Sequence, residues 1–206
     1  MASTVNDSLE QQTTDAQSEE DHPNEDIKEA VATIERRSRG LLRFVDTYRE
    51  LTRIPTPDIQ LVRIDELLHR LENLLRPQLT DGQIELETHV DPQSLQVAAD
   101  PELIEQVLIN LVLNSIQAMN GASAPRIRLS AGVDGGSTRI DINDNGVGIL
   151  PDVQERIFIP FFTTKREGSG IGLALSRRIM RLHKGTFSVI SVPGDTTFTM
   201  RFLSSS

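Results

Sequence analysis

Two asparagines on a predicted helix are the first side chains that could hold a ligand. Residues 101–119 begin with a strong helix start, because Asp100 can cap the free amides and proline suits the first turn. The segment is strongly apolar apart from three amides that share one face at i, i+4 and i+8: Gln106, Asn110 and Asn114. An unpaired buried amide costs about 1–3 kcal/mol. The asparagines therefore either satisfy each other as structural amides or face a metal-phosphate site.

A carboxylate at the end of a predicted strand is the second candidate. Asp144 lies where a strand gives way to a loop that contains Gly146 and Gly148. A carboxylate there could accept a hydrogen bond from an amino group on a flat ligand, and the glycines would let the backbone approach that ligand. Asp-Asn-Gly is equally good turn chemistry, so a plain Asx turn explains the same residues.

A phenylalanine-rich segment and a glycine loop form the third candidate. Three of the seven phenylalanines fall within residues 158–162, which predicts a small hydrophobic plug, and Thr163, Thr164 and Lys165 follow directly. The loop 168–172 has glycine at alternate positions and opens a helix, where free backbone N–H groups can cradle phosphate. Three glycines alone are weak evidence, because the strand and acidic partner of a dinucleotide fold and the Gly-Lys-Ser/Thr ending of a P-loop are both missing.

The elements around these segments predict an α+β fold. Helical periodicity covers 64–79, 101–119 and 170–183, with a further short helix within 144–170. Paired strands are predicted at 83–90 and 95–99, 126–133 and 138–143, and 186–192 and 197–203. Short turns between neighbouring strands favour a mixed, largely antiparallel sheet with helices on one face, a two-layer sandwich. The helix 64–79 has one apolar side, formed by Leu67, Leu68, Leu71, Leu74 and Leu75.

The N-terminal quarter differs in composition from the rest. Residues 1–25 are polar and acidic, and we expect them to be disordered. Residues 1–30 hold nine acids and one base, so they carry −8 of the net −9 and leave −1 for the other 176 residues. The body is almost neutral, and its charge says little about partners. A long helix is predicted over 26–52, because Pro55 and Pro57 end the helical pattern, and 53–61 is predicted as an extended linker.

Composition excludes several classes of protein. The chain has no cysteine, which rules out disulfide scaffolds and cysteine-ligated zinc. No apolar run approaches the roughly 20 residues of a membrane span, and the polar start is unlike a secretory signal. The four histidines show no metal-ligand spacing.

Together and in this order, the motifs resemble the N, G1, F and G2 boxes of the ATP-binding domain of bacterial sensor histidine kinases. These kinases are a branch of the gyrase, Hsp90 and MutL ATPase superfamily. The matching segments are 110–114, 144–149, 158–165 and 168–173, and the resemblance covers roughly residues 60–205. It implies the Bergerat ATP-binding fold. Only Arg166 and Glu167 separate the F and G2 boxes, as in the nitrogen-regulation subgroup.

The resemblance also implies ligands and residue roles. ATP and Mg²⁺ would be bound, Asn114 would ligate the metal, and the catalytic roles would fall to Asn110 beside the phosphates and Lys165 at the terminal phosphate. Asp144 would accept from the adenine amino group, and Thr196 would support adenine through water. The remaining nucleotide-binding positions shape the pocket, the lid hinge and the phosphate-binding helix start: Gly146, Gly148, Gly168, Gly170, Gly172 and Leu173.

One departure from the superfamily concerns the chemistry. Gyrase-type hydrolases carry a glutamate four residues before the metal-binding asparagine, where this chain has Asn110. An amide cannot act as a general base, and Glu105 is about half a turn out of phase with Asn114. The sequence therefore favours phosphoryl transfer to a protein side chain over hydrolysis.

A second departure is the missing phosphoacceptor. Residues 26–52 resemble the second helix of the kinase dimerisation hairpin, so we divide the chain into a tail at 1–25, a hairpin remnant with linker at 26–58 and an ATP-binding domain at 59–206. None of His22, His69, His89 and His183 has the context of an acceptor histidine.

The missing acceptor defines the expected partners. The resemblance implies a histidine supplied from outside the chain, a response-regulator receiver domain and a homodimer through 26–52. It implies no nucleic-acid or membrane contact by this segment and a cytoplasmic location, with membrane anchoring of the full-length protein left open. A stand-alone anti-sigma-type serine kinase and a non-catalytic nucleotide-binding module remain the alternatives.

Overall fold

A mixed sheet covered by helices dominates the computed structural model, which describes residues 27–39, 45, 54–165 and 168–203. The chain divides into two compact units, Met1–Arg49 and Glu50–Ser206. The strands of the second unit are β1 Gln60–Arg63, β2 Glu85–Asp91, β3 Gln96–Ala99, β4 Arg126–Asp134, β5 Ser137–Asp144, β6 Thr186–Val192 and β7 Asp195–Leu203. Its helices are α1 Ile64–Asp81, α2 Pro101–Ala118, α3 Pro151–Gln154 and α4 Gly172–Leu182.

The main sheet has five strands in the order β2-β4-β5-β7-β6. Strand β2 pairs parallel with β4, and the other three pairings are antiparallel. Strands β1 and β3 form a separate two-stranded antiparallel sheet. The expected α+β class with a mixed, mostly antiparallel sheet is confirmed.

The core lies between one face of the main sheet and helices α1, α2 and α4. Alternate residues of the central strands point inward and are buried, as expected for a sheet that is covered on one side. Examples are Ile127 and Leu129 on β4 and Ile140 and Ile142 on β5. Helix α2 is the most deeply buried helix along its length, which explains its nearly continuous apolar sequence.

The start of α2 is fixed by side chains on both sides of the junction. Asp100 accepts hydrogen bonds from the backbone N–H groups of Glu102 and Leu103, which confirms the predicted cap. The N–H of Asp100 donates to Nε2 of His183 at 3.0 Å, so Nδ1 carries the proton and donates to the carbonyl of Ile179 at 2.8 Å. His183 therefore joins the end of α4 to the start of α2 as a buried structural residue.

Two predictions about strand pairing were wrong. Residues 60 and 61, expected at the end of the linker 53–61, belong to β1, which pairs with β3; Val62 and Val97 are partners in this pair and both are buried. Strands β2 and β3, expected to pair around Asp91-Pro92, instead belong to different sheets. Alternation in sequence identifies a strand, but the inward residues of β2 find their apolar neighbours on β4, far along the chain.

Two predicted apolar groups are only partly buried. Leu74 is 53% exposed, since it lies at the edge of the apolar side of α1, while Leu67, Leu68, Leu71 and Leu75 are buried. In the predicted phenylalanine plug, only Phe158 packs against the core, edge to face with Phe187 at 5.5 Å. Phe161 is 40% exposed. The ring of Phe162 is half-buried, and the guanidinium carbon of Arg156 lies over it, 4.3 Å from the ring centre.

The first unit contains a helix over residues 27–39. Ile27, Val31 and Ile34 recur at helical spacing along it, and each is more than half exposed. The predicted tail at 1–25 and most of the predicted helix beyond residue 39 lie outside the described residues. Within the described parts of the chain, no helix combines the length and the apolarity needed to cross a membrane.

Candidate functional site

Asp144 is a buried carboxylate held by two donors at the end of β5. Its Oδ2 accepts from the hydroxyl of Ser115 at 2.7 Å, and its Oδ1 accepts from the N–H of Gly146 at 3.0 Å. Asp144 is 2% exposed and Ser115 is 1% exposed. Burial raises the pKa of Asp144, and the Ser115 and Gly146 donors oppose that rise because they stabilise the ionised form. The arrangement leaves a buried hydrogen-bond acceptor with a fixed orientation.

The loop after Asp144 requires glycine at two positions. A Cβ on Gly146 would lie 2.8 Å from the carbonyl oxygen of Ala118 and 2.8 Å from Oδ1 of Asp144. Gly148 has φ of +79°, and a Cβ there would lie 2.7 Å from the carbonyl oxygen of Val192. Because protein atoms pass this close, the loop can take this conformation only with glycine at these two positions.

Thr196 lies beside Asp144 on the neighbouring strand. The two residues are direct partners in the β5–β7 ladder, and Thr196 is buried. Its hydroxyl is 2.7 Å from Oγ of Ser191, which also accepts from the N–H of Ile149 at 2.8 Å. The hydroxyl pair therefore connects β7, the neighbour of the carboxylate's strand, through Ser191 on β6 to the loop that contains Gly146 and Gly148.

The asparagines of α2 form a chain of amides that ends at a lysine. Asn110 donates from Nδ2 to Oγ of Ser176 at 3.0 Å, and Asn114 donates from Nδ2 to Oδ1 of Asn110 at 3.4 Å. The ammonium of Lys165 donates to Oδ1 of Asn114 at 3.0 Å and to Oε1 of Gln117 at 2.6 Å. Both asparagines are therefore hydrogen-bonded within the protein, as the structural alternative expects, and the alternative of a metal-phosphate site stays a prediction.

The charge of Lys165 is coupled to that of Asp144. Desolvation by surrounding protein lowers the pKa of Lys165, and the Asp144 carboxylate opposes this by favouring the charged ammonium. Reciprocally, Lys165 is among the groups that favour ionised Asp144. The two ends of the candidate site therefore influence each other electrostatically.

The glycine loop meets the asparagines at the start of α4. A Cβ on Gly172 would lie 2.1 Å from Oδ1 of Asn110, so no other residue fits without displacing the amide. Gly170 has φ of +68°, and a Cβ there would lie 2.6 Å from the backbone of Phe161. The N–H of Phe161 donates to the carbonyl of Gly170 at 2.9 Å, which ties the phenylalanine segment to the loop.

The other two predicted positions in this region behave differently. Gly168 lies against the side chain of Thr163, with 2.6 Å from its ideal Cβ position to Oγ1. Leu173 is half-buried and packs against the hydrophobic core.

A cleft of about 240 Å³ separates α2 from the start of α4 and is lined by Asn110, Gly172 and Ser176. A larger cleft of about 380 Å³ is lined by residues of β2, β4 and β5, among them His89 and Asp141, and holds none of the site residues.

The donor set limits the kind of cation that this site can hold. Among the described residues, no three His, Cys, Asp or Glu side chains come together as a metal site. An amide oxygen such as Asn114 Oδ1, which already faces a lysine ammonium, suits a hard cation that keeps waters and takes further oxygens from phosphate. The site therefore fits Mg²⁺ carried by a phosphate ligand better than a free metal ion.

Four residues of the site were missed from the sequence: Ser115, Ser176, Ser191 and Gln117. Each contacts a predicted residue on another element: Ser115 contacts Asp144, Ser176 contacts Asn110, Ser191 contacts Thr196 and Gln117 contacts Lys165. Gln117 could have been found, since it follows Asn114 by three residues and shares its helix face. The serines carry no comparable signal, because their partners are 5 to 66 residues away in sequence.

Comparison with known proteins places this geometry in a family. The model that describes histidine kinase-, DNA gyrase B-, and HSP90-like ATPases matches residues 99–205. The signal transduction histidine-protein kinase AtoS of Escherichia coli K12 is 37% identical over 142 residues, covering 68% of this chain and 23% of AtoS. The sensor histidine kinase ZraS of the same strain is 35% identical over 161 residues, covering 78% of this chain and 34% of ZraS.

Solved structures agree with the sequence relatives. The nucleotide-free catalytic domain of histidine kinase ThkA superposes with a TM-score of 0.66 at 28% identity, covering 71% of this chain and 96% of that domain. Full-length ShkA, solved with AMPPNP, superposes with a TM-score of 0.69 at 26% identity, covering 87% of this chain and 39% of ShkA. The chain thus matches a whole catalytic domain but only a quarter to a third of AtoS and ZraS. This chain belongs to the family of histidine kinase-, DNA gyrase B-, and HSP90-like ATPases, and the relatives named above are sensor histidine kinases.

Proposed function

We propose that this chain binds Mg-ATP and transfers the γ-phosphoryl group to a histidine that lies outside the given sequence, as the catalytic part of a sensor histidine kinase. The single observation that carries the proposal is the fixed, buried Asp144 carboxylate one strand away from Thr196, within a loop that only glycine can form. Family membership implies ATP binding.

Asp144 would recognise the adenine ring. An ionised carboxylate only accepts hydrogen bonds, so it favours the amino group of adenine over the carbonyl that guanine has at the same position. Ser115 supports this role, because its hydroxyl donates to Asp144 and keeps the carboxylate an acceptor. Thr196 would bind adenine through water, and Gly146 and Gly148 would let backbone line the ring.

The phosphates would lie between α2 and the start of α4. Asn114 would ligate Mg²⁺, Asn110 would lie beside the phosphates, and the N–H groups of the 168–172 loop would donate to phosphate oxygens. Bound Mg²⁺ would neutralise charge on the phosphates and orient them. Lys165 would leave Asn114 for the terminal phosphate, where its ammonium would stabilise charge that builds up during transfer. The helix start that includes Leu173 would hold the loop in register.

Transfer is favoured over hydrolysis because none of the described residues that line the cleft at the phosphate end is a carboxylate or a histidine that could act as a general base. Asn110 is an amide whose Oδ1 and Nδ2 are both engaged, so it cannot take a proton from water. The carboxylate of Glu105 faces Arg70 on α1 at 3.9 Å. The reaction instead needs an incoming imidazole nitrogen, which would form a bond to the γ-phosphorus while the bond to the β–γ bridging oxygen breaks and ADP leaves.

The acceptor histidine would come from outside the described domain. His183 is buried between Asp100 and Ile179, His69 pairs with Asn73, and His89 lies on the sheet face away from the helices. His22 lies outside the described residues. We propose that the acceptor lies on the first helix of a dimerisation hairpin, and that the phosphoryl group then passes to a response-regulator receiver domain.

The helix at 27–39 would supply the second helix of that hairpin. Its exposed Ile27, Val31 and Ile34 form an apolar face of the kind that packs in a four-helix dimer bundle. We propose that two copies associate through this face, in the cytoplasm where ATP is available. Ile34→Glu should weaken this association in sedimentation analysis, because it places a charge in the apolar face.

The test is transfer of label from γ-labelled ATP. The full chain with Mg²⁺ and a separate polypeptide that carries the histidine helix should yield an acid-labile, alkali-stable phosphoprotein. Asp144→Asn should give less product, whereas Asp141→Asn on the opposite sheet face is the matched control. An alkali-labile product on serine would favour the serine-kinase alternative, and binding of ATP without any transfer would favour the nucleotide-binding module.

A further inference from the structure

The two edges of the main sheet differ sharply in charge. Strand β2, at one edge, has Glu85, Glu87, His89 and Asp91 on its outer face. Strand β6, at the other edge, has the sequence TFSVISV and contains no charged residue or proline. Charged side chains on an edge strand discourage pairing with another chain, so β2 is protected and β6 is not.

The free backbone of β6 can be assigned from its pairing with β7. Val192 and Asp195 flank a two-residue turn and are partners in the ladder. Alternation along an antiparallel ladder then directs the N–H and C=O groups of Val192, Ile190 and Ser188 towards β7 and those of the residues between them outwards. The carbonyl of Ser191 does point outwards, since it accepts from Nε2 of Gln154 at 2.8 Å.

Only the first half of this edge is open. Gln154 covers the edge at Ser191, which leaves the backbone groups of Phe187 and Val189. Within the described ranges, no backbone hydrogen bond from another segment reaches these two residues. The open stretch is therefore centred on Ser188, which is itself exposed.

The charges around β6 favour an antiparallel second copy as the occupant. The first residue of β6 is paired with Arg201 and comes two residues after Lys184, so this end is basic. The last residue is paired with Asp195, and exposed Asp152 belongs to α3, which packs at the same end, so this end is acidic. In an antiparallel pair of identical strands, the basic end of each copy lies beside the acidic end of the other, and the neutral centre adds no like-charge repulsion.

We propose that β6 is a self-association edge at which two copies pair antiparallel about Ser188 and continue the sheet from one copy into the other. Phe187 of each copy faces Val189 of the other, and their backbone groups form four hydrogen bonds. Ser188 faces its own counterpart in a non-hydrogen-bonded position, where Cα atoms lie about 4.5 Å apart. Because a single strand pair buries less than the roughly 1,000 Å² of a stable interface, the association is weak and reversible.

The absence of cysteine allows a register-specific test in the full chain. Ser188→Cys should form a covalent dimer under mild oxidation, because the thiols meet across the twofold within disulfide distance. Thr186→Cys is the matched control on the same face of the same strand, since its counterpart lies four residues away in register. In parallel, Ser188→Lys places two ammonium groups together and should weaken self-association about fivefold in sedimentation equilibrium.

The result expected is fast dimer formation by Ser188→Cys, little by Thr186→Cys, and weakened association of Ser188→Lys. Equal rates for the two cysteine variants would reflect random collision and would overturn the proposal. So would an unchanged association constant for Ser188→Lys. Measurements in the Ile34→Glu background reduce association through the 27–39 helix, so failure there does not bear on the proposed kinase function.

Discussion

Replacing Ser115 with alanine tests how the Asp144 carboxylate is held. The hydroxyl lies 2.7 Å from Oδ2, and both residues are almost completely buried. A hydrogen bond to a charged group contributes about 1.5–3 kcal/mol, against about 0.5–1.5 kcal/mol for a neutral one. We expect Ser115→Ala to lower the free energy of unfolding by about 1.5–3 kcal/mol at neutral pH, or roughly 3–12 °C in Tm for a domain of this size.

The pH dependence has a definite sign. Burial raises the pKa of Asp144 in the folded protein above its ordinary 3.8. The residue therefore contributes to the stability of the fold at low pH, and this contribution is lost as pH rises through the pKa that Asp144 has in the folded protein. Loss of the Ser115 hydroxyl raises the pKa of Asp144 in the folded protein further, because this donor stabilises the ionised carboxylate. The stability difference between wild type and Ser115→Ala should therefore narrow as pH falls and Asp144 becomes neutral in both. As the pH is lowered, the variant should lose its affinity for ATP at a higher pH than the wild type, because its Asp144 is protonated first.

Thermal unfolding across pH, with ATP titration at each pH, is the assay. Ser130→Ala is the matched control, because Ser130 is half-buried on β4 and makes no side-chain hydrogen bond with the described residues. If Ser115→Ala matches Ser130→Ala at neutral pH, or if the difference does not narrow at low pH, the argument about the carboxylate is refuted.

Two further variants test the phosphate end. Gly172→Ala places a Cβ 2.1 Å from Oδ1 of Asn110 and should weaken ATP binding at least about tenfold, an effect of roughly 1.4 kcal/mol. The control Gly132→Ala, whose Cβ would lie 3.4 Å from the nearest atom, should leave ATP binding unchanged. Equal affinities of the two variants in calorimetry would refute the argument from the close contact. Lys165→Met removes the ammonium from Asn114 and should slow transfer more than it weakens ATP binding, since the proposed charge contact strengthens during reaction; a loss of affinity that accounts for the whole loss of transfer would contradict this.

The elements of the fold were largely predictable from local patterns, but their pairing was not. The start of α2 followed from Asp100 and Pro101 because capping depends on neighbouring residues. The separation of β2 from β3 depended on which distant strand could cover their inward residues. Alternation in sequence does not contain that information, and β1 was missed because four residues give too short a pattern.

The candidate site divides in the same way. Asp144, the asparagines of α2 and the glycines were found because their types and spacing are unusual in an apolar helix or a loop. Ser115 and Ser176 were missed because a serine in a helix has no pattern until its partner is known. The exposure of Phe161 could not be anticipated either, since three clustered aromatic residues are equally consistent with a fully buried group.

The central claim is tested most directly by calorimetric titration of Mg-ATP into the full chain and into Asp144→Asn. We predict saturable binding by the wild type and a loss of about 10- to 100-fold in the variant, as expected when a hydrogen bond to a charged acceptor worth about 1.5–3 kcal/mol is removed. Asp141→Asn, on the same strand but the opposite face, should bind like wild type. Equal affinities for wild type and Asp144→Asn, or no binding by the wild type, would contradict the assignment of this site to ATP.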